Sequence, residues 1–392
     1  MNTKKLDFDT QAEEILPKLI EWRRHFHKYP ELSFQESHTS EKIIQVLRSF
    51  GLDHIQSGVG GYGIIATLST GDGPVIGIRA DIDALPILEQ SSLEYVSQHQ
   101  GIMHACGHDA HTAILLGVAK LLVENFEENS WRGTVKLIFQ PAEESCDDNG
   151  ETGAVKVLKS GILDDLDGVL ALHMCPWRKR GSIQVHDGPS MANNDEFHLV
   201  IKGRGGHGGY PHKTLDPLWM ATYVLQALYS LNGRKVDPLQ VGTVSIGQIY
   251  GGEAHNIIPS TVSIKGTVRS YEGKIREQLA REVEQVCLMI NALGGDYELS
   301  IQQGEPALVN DPSINKLFRK AGEGMEIFEE PFGMGSEDFS YMTAQIPGAM
   351  FFLGCGLEQE RSLHHPSFDI DEKAMVDGVA IMMKSIENFF KG

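Results

Sequence analysis

The chain has 392 residues, 41% of them hydrophobic and 22% charged. That is the make-up of a folded protein of two or at most three domains, which excludes a disordered chain and a small disulfide scaffold. The 34 Lys and Arg against 53 Asp and Glu leave a formal net charge of -19, a surface that repels phosphate backbones and argues against a nucleic-acid partner. The longest apolar stretch, 113–123, is short and broken by Lys120, so no membrane partner is expected. The polar segment after Met1 has no signal-peptide core, and five cysteines without paired spacing fit a reducing compartment, so a cytoplasmic protein is expected.

In chain order, residues 9–28 read as an amphipathic helix that stops before Tyr29-Pro30, and 37–50 as a second helix ending at Gly51. Short apolar runs at 63–68, 75–80 and 134–140 read as buried strands, and Asp109 is placed to cap a helix from Ala110 to about Val123. Strands alternating with helices predict an α/β domain with a largely parallel or mixed sheet. From about residue 195 the rhythm changes. Phe197, Leu199 and Ile201 alternate with polar or smaller residues; a helix follows at about 215–231, then strands near 241–249 and 261–269, a helix at 273–293 and a strand at 296–302. This βαββαβ order is that of a ferredoxin-like unit. After Pro306 the α/β character returns, with an apolar run Ala349–Leu353 and a last helix from Asp371 that carries Met375, Val379, Met382 and Ile386 on one face. The expected organisation is an α/β domain of residues 1–188 and 306–392, interrupted by an inserted ferredoxin-like domain at 189–305.

Gly58-Val59-Gly60-Gly61-Tyr62-Gly63 matches the dinucleotide-binding pattern, yet the apolar run Ile64-Ile65-Ala66 continues as a strand where that motif requires a helix, so a glycine-rich hairpin is expected. The histidines carry more information. In His104-Ala105-Cys106-Gly107-His108-Asp109-Ala110-His111, Cys106 and His108 are two apart and project the same way from an extended loop, a thiolate and an imidazole suited to a transition metal. A buried cysteine beside incidental histidines is the other reading of this segment. Phe139-Gln140-Pro141-Ala142-Glu143-Glu144 ends a predicted strand, where α/β sheets place their sites. Of two adjacent carboxylates, one can ligate a metal while the other takes a proton from water; a solvated pair is the alternative. His173 after Leu170-Ala171-Leu172, and His364-His365 near the C-terminus, would supply further donors.

With these segments in order, the chain resembles the M20 metallopeptidases, and within them the amidohydrolase subfamily of hippurate hydrolases, N-acyl-amino-acid amidohydrolases, N-acetyldiaminopimelate deacetylases and auxin-conjugate hydrolases. The resemblance extends through Trp22–Phe34, Ile78–Pro86, His104–His111, Phe139–Glu144, Gly205-Gly206-His207, Asn256–Pro259, Gly335–Phe339 and Leu363–Pro366. It implies a metal-binding α/β catalytic domain with an inserted ferredoxin-like domain that serves as lid and dimerisation unit. It further implies two divalent transition metal ions held by Cys106, His108, Glu144, His173 and His364, with Cys106 bridging and His365 the alternative to His364. Zn or Mn is expected, and Ni or Co also suits the ligands. M20 peptidases commonly open their metal motif with His-x-Asp; this chain has Arg79 at the first position and keeps Asp81, which the resemblance makes an orienting residue.

By the same resemblance Glu143 is the general base, His207 stabilises the oxyanion from a partner subunit, and Asn256 and Arg269 contact substrate, Arg269 as a bidentate carboxylate clamp. The implied reaction is hydrolysis of the amide of an N-acyl amino acid, a small-molecule substrate, in a homodimer. The rivals are a dipeptidase or aminopeptidase on the same scaffold, a non-catalytic metal- or peptide-binding protein, and an enzyme with Cys106 as nucleophile. The binding protein would have no use for Glu143 beside the ligands, and the cysteine enzyme leaves Glu143-Glu144 and the distal histidines without a role.

Overall fold

The computed structural model describes residues 7–126, 131–359 and 361–391. The chain divides into two compact units. The first comprises Met1–Gly188, Val309–Phe332 and Tyr341–Gly392; the second comprises Pro189–Leu308 and also takes in Gly333–Ser340, from within the predicted 306–392 stretch.

The first unit is built on an eight-stranded mixed sheet. Its strands lie in the order Ile55–Val59, Gly63–Ser69, Thr134–Gln140, Val75–Asp81, Gly168–Lys179, Gly348–Gly356, Ser182–Gln184 and Glu326–Phe328. The four central strands run parallel, and they are buried along almost their whole length because helices cover the sheet. The last helix, Ala374–Lys391, buries Met375, Val379, Met382 and Ile386, the face read from its periodicity. It starts three residues after Asp371.

Two local readings need correction. The predicted 9–28 helix is two helices, Phe8–Glu14 and Leu16–Lys28, broken at Ile15; Pro17 has no N–H to continue the ladder and its ring crowds the preceding turn. The helix predicted from Ala110 spans His108–Phe126, so Asp109 lies inside its first turn. There Asp109 accepts from Arg23 Nε at 2.8 Å and from His27 Nδ1 at 2.8 Å, both buried, and it acts as an internal counter-ion tying the N-terminal helix to this one. Around the glycines at 58–63, Ile55–Val59 and Gly63–Ser69 form an antiparallel hairpin with a register shift at Ser57/Val59. A strand follows the glycines, which removes the helix a dinucleotide site needs.

The second unit has a four-stranded antiparallel sheet in the order Gly242–Tyr250, Thr261–Ser270, Asp195–Lys202, Asp296–Gln303. Helices Pro217–Arg234 and Gly273–Ala292 complete the βαββαβ ferredoxin-like pattern. Strict alternation along Asp195–Lys202 sends Phe197, Leu199 and Ile201 into a core with Met220, Val224, Ile264 and Leu279, and leaves Glu196, His198 and Lys202 on the other face. No described helix is long and apolar enough to cross a membrane.

Candidate metal centre and active site

The parallel strands deliver the site residues at their carboxyl ends, where α/β sheets place their ligands. Asp81 ends Val75–Asp81, Gln140 ends Thr134–Gln140 just before Glu143-Glu144, and His173 lies on Gly168–Lys179. Cys106 precedes the helix His108–Phe126 by two residues. Gly107 between them has φ +95°, and a Cβ there would lie 2.9 Å from Met174 Cγ, so only glycine makes this bend.

Six of the predicted residues come together. Cys106 Sγ lies 3.5 Å from His173 Nε2 and 3.3 Å from His364 Nε2, and His364 Nε2 lies 3.4 Å from Glu144 Oε1. His108 Nε2 is 3.9 Å from both Glu143 Oε2 and Glu144 Oε1. These spacings suit donors around a shared cation. Two convergent groups, Cys106/His108/His173 and Cys106/Glu144/His364, share the cysteine. His365 turns away to Ser367 (Nδ1–Oγ 2.8 Å), so His364 is the histidine that reaches the cluster.

The tautomers favour metal binding. Nδ1–H of His108 donates to Asp83 O at 2.9 Å and Nδ1–H of His173 donates to Met174 O at 2.8 Å, which aims both Nε2 lone pairs inward. Among the described residues, His108 Nε2 and Glu144 Oε1 are buried without a hydrogen-bond partner, a state that costs free energy unless a cation occupies the space between them. Burial pushes His173 down to about 3, helped by the neighbouring His111, so its ring is neutral. Burial also opposes the charged form of His108, but Asp81, Asp83 and Glu144 outweigh it and push that pKa up to about 10, so a cation held at Nε2 would take the place of a proton that this acidic pocket otherwise keeps there.

A third geometric group, Asp81/His108/His111, is not available as a ligand set. His111 Nδ1–H donates to Asp81 Oδ1 at 2.6 Å and its Nε2 accepts from Met174 N at 2.9 Å, so both ring nitrogens are committed. Asp81 Oδ2 accepts from Arg79 Nη1 at 2.6 Å, and Arg79 Nε donates to Gln140. The Arg79 that stands where M20 peptidases commonly have histidine is therefore part of a buried relay, Arg79–Asp81–His111–Met174 backbone, that ends on the peptide next to His173. Asp83 is a second residue whose role the sequence did not disclose. Its carboxylate accepts from Ser33 Oγ and from Glu144 N, and its carbonyl fixes His108. The only signal for it was a second aspartate two residues past Asp81, on the same side of an extended chain.

The remaining predicted residues lie in the second unit. His207 and Asn256 are neighbours there: His207 pairs with Ile257 in a short antiparallel ladder, and Gly208 N donates to Asn256 O at 2.8 Å. His207 is exposed, and its Nδ1 accepts from Gly209 N at 3.0 Å, which leaves the proton on an outward Nε2. Arg269 is half-buried with Nη1 lacking a hydrogen-bond partner among the described residues, and burial lowers its pKa despite the nearby Glu305 and Glu196.

Residues 77–388 match the model of peptidase family M20/M25/M40. The chain is 39% identical over 372 residues to an N-acetyl-L-cysteine deacetylase of Bacillus subtilis (strain 168), covering 94% of this chain and 87% of that one. It is 35% identical to thermostable carboxypeptidase 1 of Saccharolobus solfataricus, covering 92% and 93%. Among solved structures it superposes on the YXEP protein of Bacillus subtilis, described as a dinuclear metal binding peptidase from the M20 family, with a TM-score of 0.84 and 33% identity over 97% of this chain and 99% of that one.

Proposed function

Because this chain belongs to peptidase family M20/M25/M40, we propose that it is a metal-dependent amidohydrolase that cleaves the amide bond of N-acyl amino acids. The observation that carries this reading is the convergence of Cys106, His108, Glu144, His173 and His364 beside Glu143, with orphaned buried donors on two of them. Cys106, His108, Glu144, His173 and His364 would hold two divalent ions; Zn or Mn matches the mixed sulfur, nitrogen and oxygen donors, and Ni or Co also suits them. When bound, such ions lower the pKa of a water and polarise a carbonyl. Glu143 takes the proton of the attacking water and returns it to the leaving amine, a contribution of ~10²–10⁴-fold. His207 of a partner subunit donates its Nε2–H to the developing oxyanion, and Arg269 receives the substrate carboxylate through Nη1, which has no partner among the described residues. Asn256, next to His207, contacts the substrate amide.

The second unit serves as lid and as dimer contact. Helix Pro217–Arg234 exposes Leu218, Trp219, Tyr223 and Tyr229, and the edge strand Gly242–Tyr250 exposes Ile249 and Tyr250, an apolar stripe beside a strand edge without a partner among the described residues, which suits a second copy of the chain. The five cysteines, with no disulfide among the described residues, support a reducing, cytoplasmic location. The carboxypeptidase relative keeps dipeptide hydrolysis as the second reading. Metal analysis followed by turnover of matched N-acetyl, N-benzoyl and dipeptide substrates tests both. Metal-dependent cleavage led by the N-acyl compounds is expected, and preference for free-amine dipeptides would favour the second reading.

A further inference from the structure

Ala142, immediately before Glu143-Glu144, has φ +50°, a left-handed conformation that a residue with a Cβ adopts only when its surroundings enforce it. Three ties enforce it. Ala142 N donates to Glu36 Oε1 at 2.8 Å, Gly153 N donates to Ala142 O at 2.8 Å, and Glu144 N donates to Asp83 Oδ2 at 3.0 Å. Gly153 packs so closely beneath the turn that a Cβ on it would lie 1.6 Å from Pro141 O.

Glu36 is the unexpected member. It occupies the N-cap position of the helix Ser37–Ser49, yet its side chain makes no cap hydrogen bond. Glu31 caps that helix instead, accepting from Thr39 N at 2.8 Å and His38 N at 3.2 Å. Glu36 is thereby freed to reach a backbone group 106 residues away, completely buried, with Oε2 lacking a hydrogen-bond partner among the described residues. Burying a carboxyl with one oxygen left without a partner costs stability, a conflict that concentrates at functional sites. Burial and the nearby Asp83 push its pKa up to about 7. Oε1 can accept the Ala142 N–H in either protonation state.

We propose that Glu36 is a positioning residue for catalysis: by accepting the Ala142 N–H it locks the left-handed turn from which Glu143 and Glu144 project. The proposal rests on the reading of Glu143 as general base. Reach and charge separate in two variants. Glu36→Gln keeps the length and an acceptor oxygen without the charge; Glu36→Asp keeps the charge but withdraws the acceptor by one methylene. With full metal content in each, Glu36→Gln should retain at least about half of kcat, and Glu36→Asp should lose ~10-fold or more in kcat with KM within about twofold. Crystal structures should show a positive φ at Ala142 in Glu36→Gln and its loss in Glu36→Asp. Adding Ala142→Gly to Glu36→Asp should restore part of kcat, because glycine holds positive φ unaided; this double variant also serves if Glu36→Asp alone folds poorly. Wild-type kcat in Glu36→Asp, equal loss in both single variants, or no recovery in the double variant would overturn the proposal. If the wild type cleaves no N-acyl amino acid, the functional reading fails separately, and the Ala142 conformation in the two crystal structures still decides the role of Glu36.

Discussion

Asp81→Asn is the substitution that most directly tests whether the buried relay behind His173 serves the metal centre. Asp81 and Arg79 are both fully buried and 2.6 Å apart, and His111 donates to the other carboxylate oxygen at 2.6 Å. Asparagine keeps the volume, removes the charge and leaves one acceptor oxygen for two donors. Removing one member of a buried ion pair costs about 3–5 kcal/mol, since the surviving charge stays desolvated. For a unit of this size that corresponds to a fall in Tm of roughly 10 °C. A surface pair gives the contrast: Lys18–Glu21 also sits at 2.7 Å, but its side chains are 57% and 60% exposed, and Glu21→Gln should leave Tm within about 1 °C. Because His111 holds Met174 N and Met174 O holds His173, a displaced His111 should also weaken metal binding by ~10–100-fold. Calorimetry of the metal-loaded protein and chelator competition measure the two effects. Lower Tm with unchanged metal affinity would reduce the relay to a packing device, and no change in either would refute the assignment of a buried ionised pair.

Glu143→Gln should keep both metals and lose kcat by ~10²-fold or more, whereas Glu144→Gln should lose metal first; equal metal loss in both would cancel that division of labour. Arg269→Ala should raise KM for substrates with a free carboxylate more than for their carboxamides, measured by paired kinetics. His207→Ala should keep full metal content and lose most of kcat, and heterodimers with Glu143→Gln subunits should regain activity if the histidine serves the partner's site. For His27, burial lowers the pKa but Asp109 and Glu89 raise it on balance. Its folded pKa then exceeds the unfolded value of about 6.5, so its stabilisation is complete below that pH and fades as pH rises through the folded value. Denaturation should show His27→Gln costing more at about pH 6 than at about pH 9.

How far these features were legible in the sequence follows from how each one is encoded. Strands such as Val75–Asp81 and Thr134–Gln140 are buried on both faces, so largely apolar runs, each interrupted by a single basic residue (Arg79 or Lys136), were enough to place them within a residue. The βαββαβ order survived because alternation at Phe197, Leu199 and Ile201 is local and periodic. Ligand candidates were legible because cysteine, histidine and adjacent glutamates are chemically conspicuous where apolar runs end, although two neighbouring histidines look alike in sequence: the preference for His364 came from the resemblance, and only the fold puts His364 Nε2 3.3 Å from Cys106 Sγ while His365 turns to Ser367. The groups that hold the ligands were not legible, and the reason is specific. Asp109 carries the residue type and position of a helix cap, and only the arrival of Arg23 and His27 from another helix makes it a counter-ion. Glu36 directly precedes its helix, and nothing at that position announces that Glu31 caps the helix while Glu36 turns elsewhere. A hydrogen bond from Ala142 to a side chain 106 residues earlier leaves no periodicity, spacing or composition to detect. First contacts with a metal are thus encoded by residue type, while the geometry that aims them is encoded by tertiary partners; where a local rule misassigns a buried charged residue, as at Asp109, the misassignment itself points to a partner the local pattern does not contain.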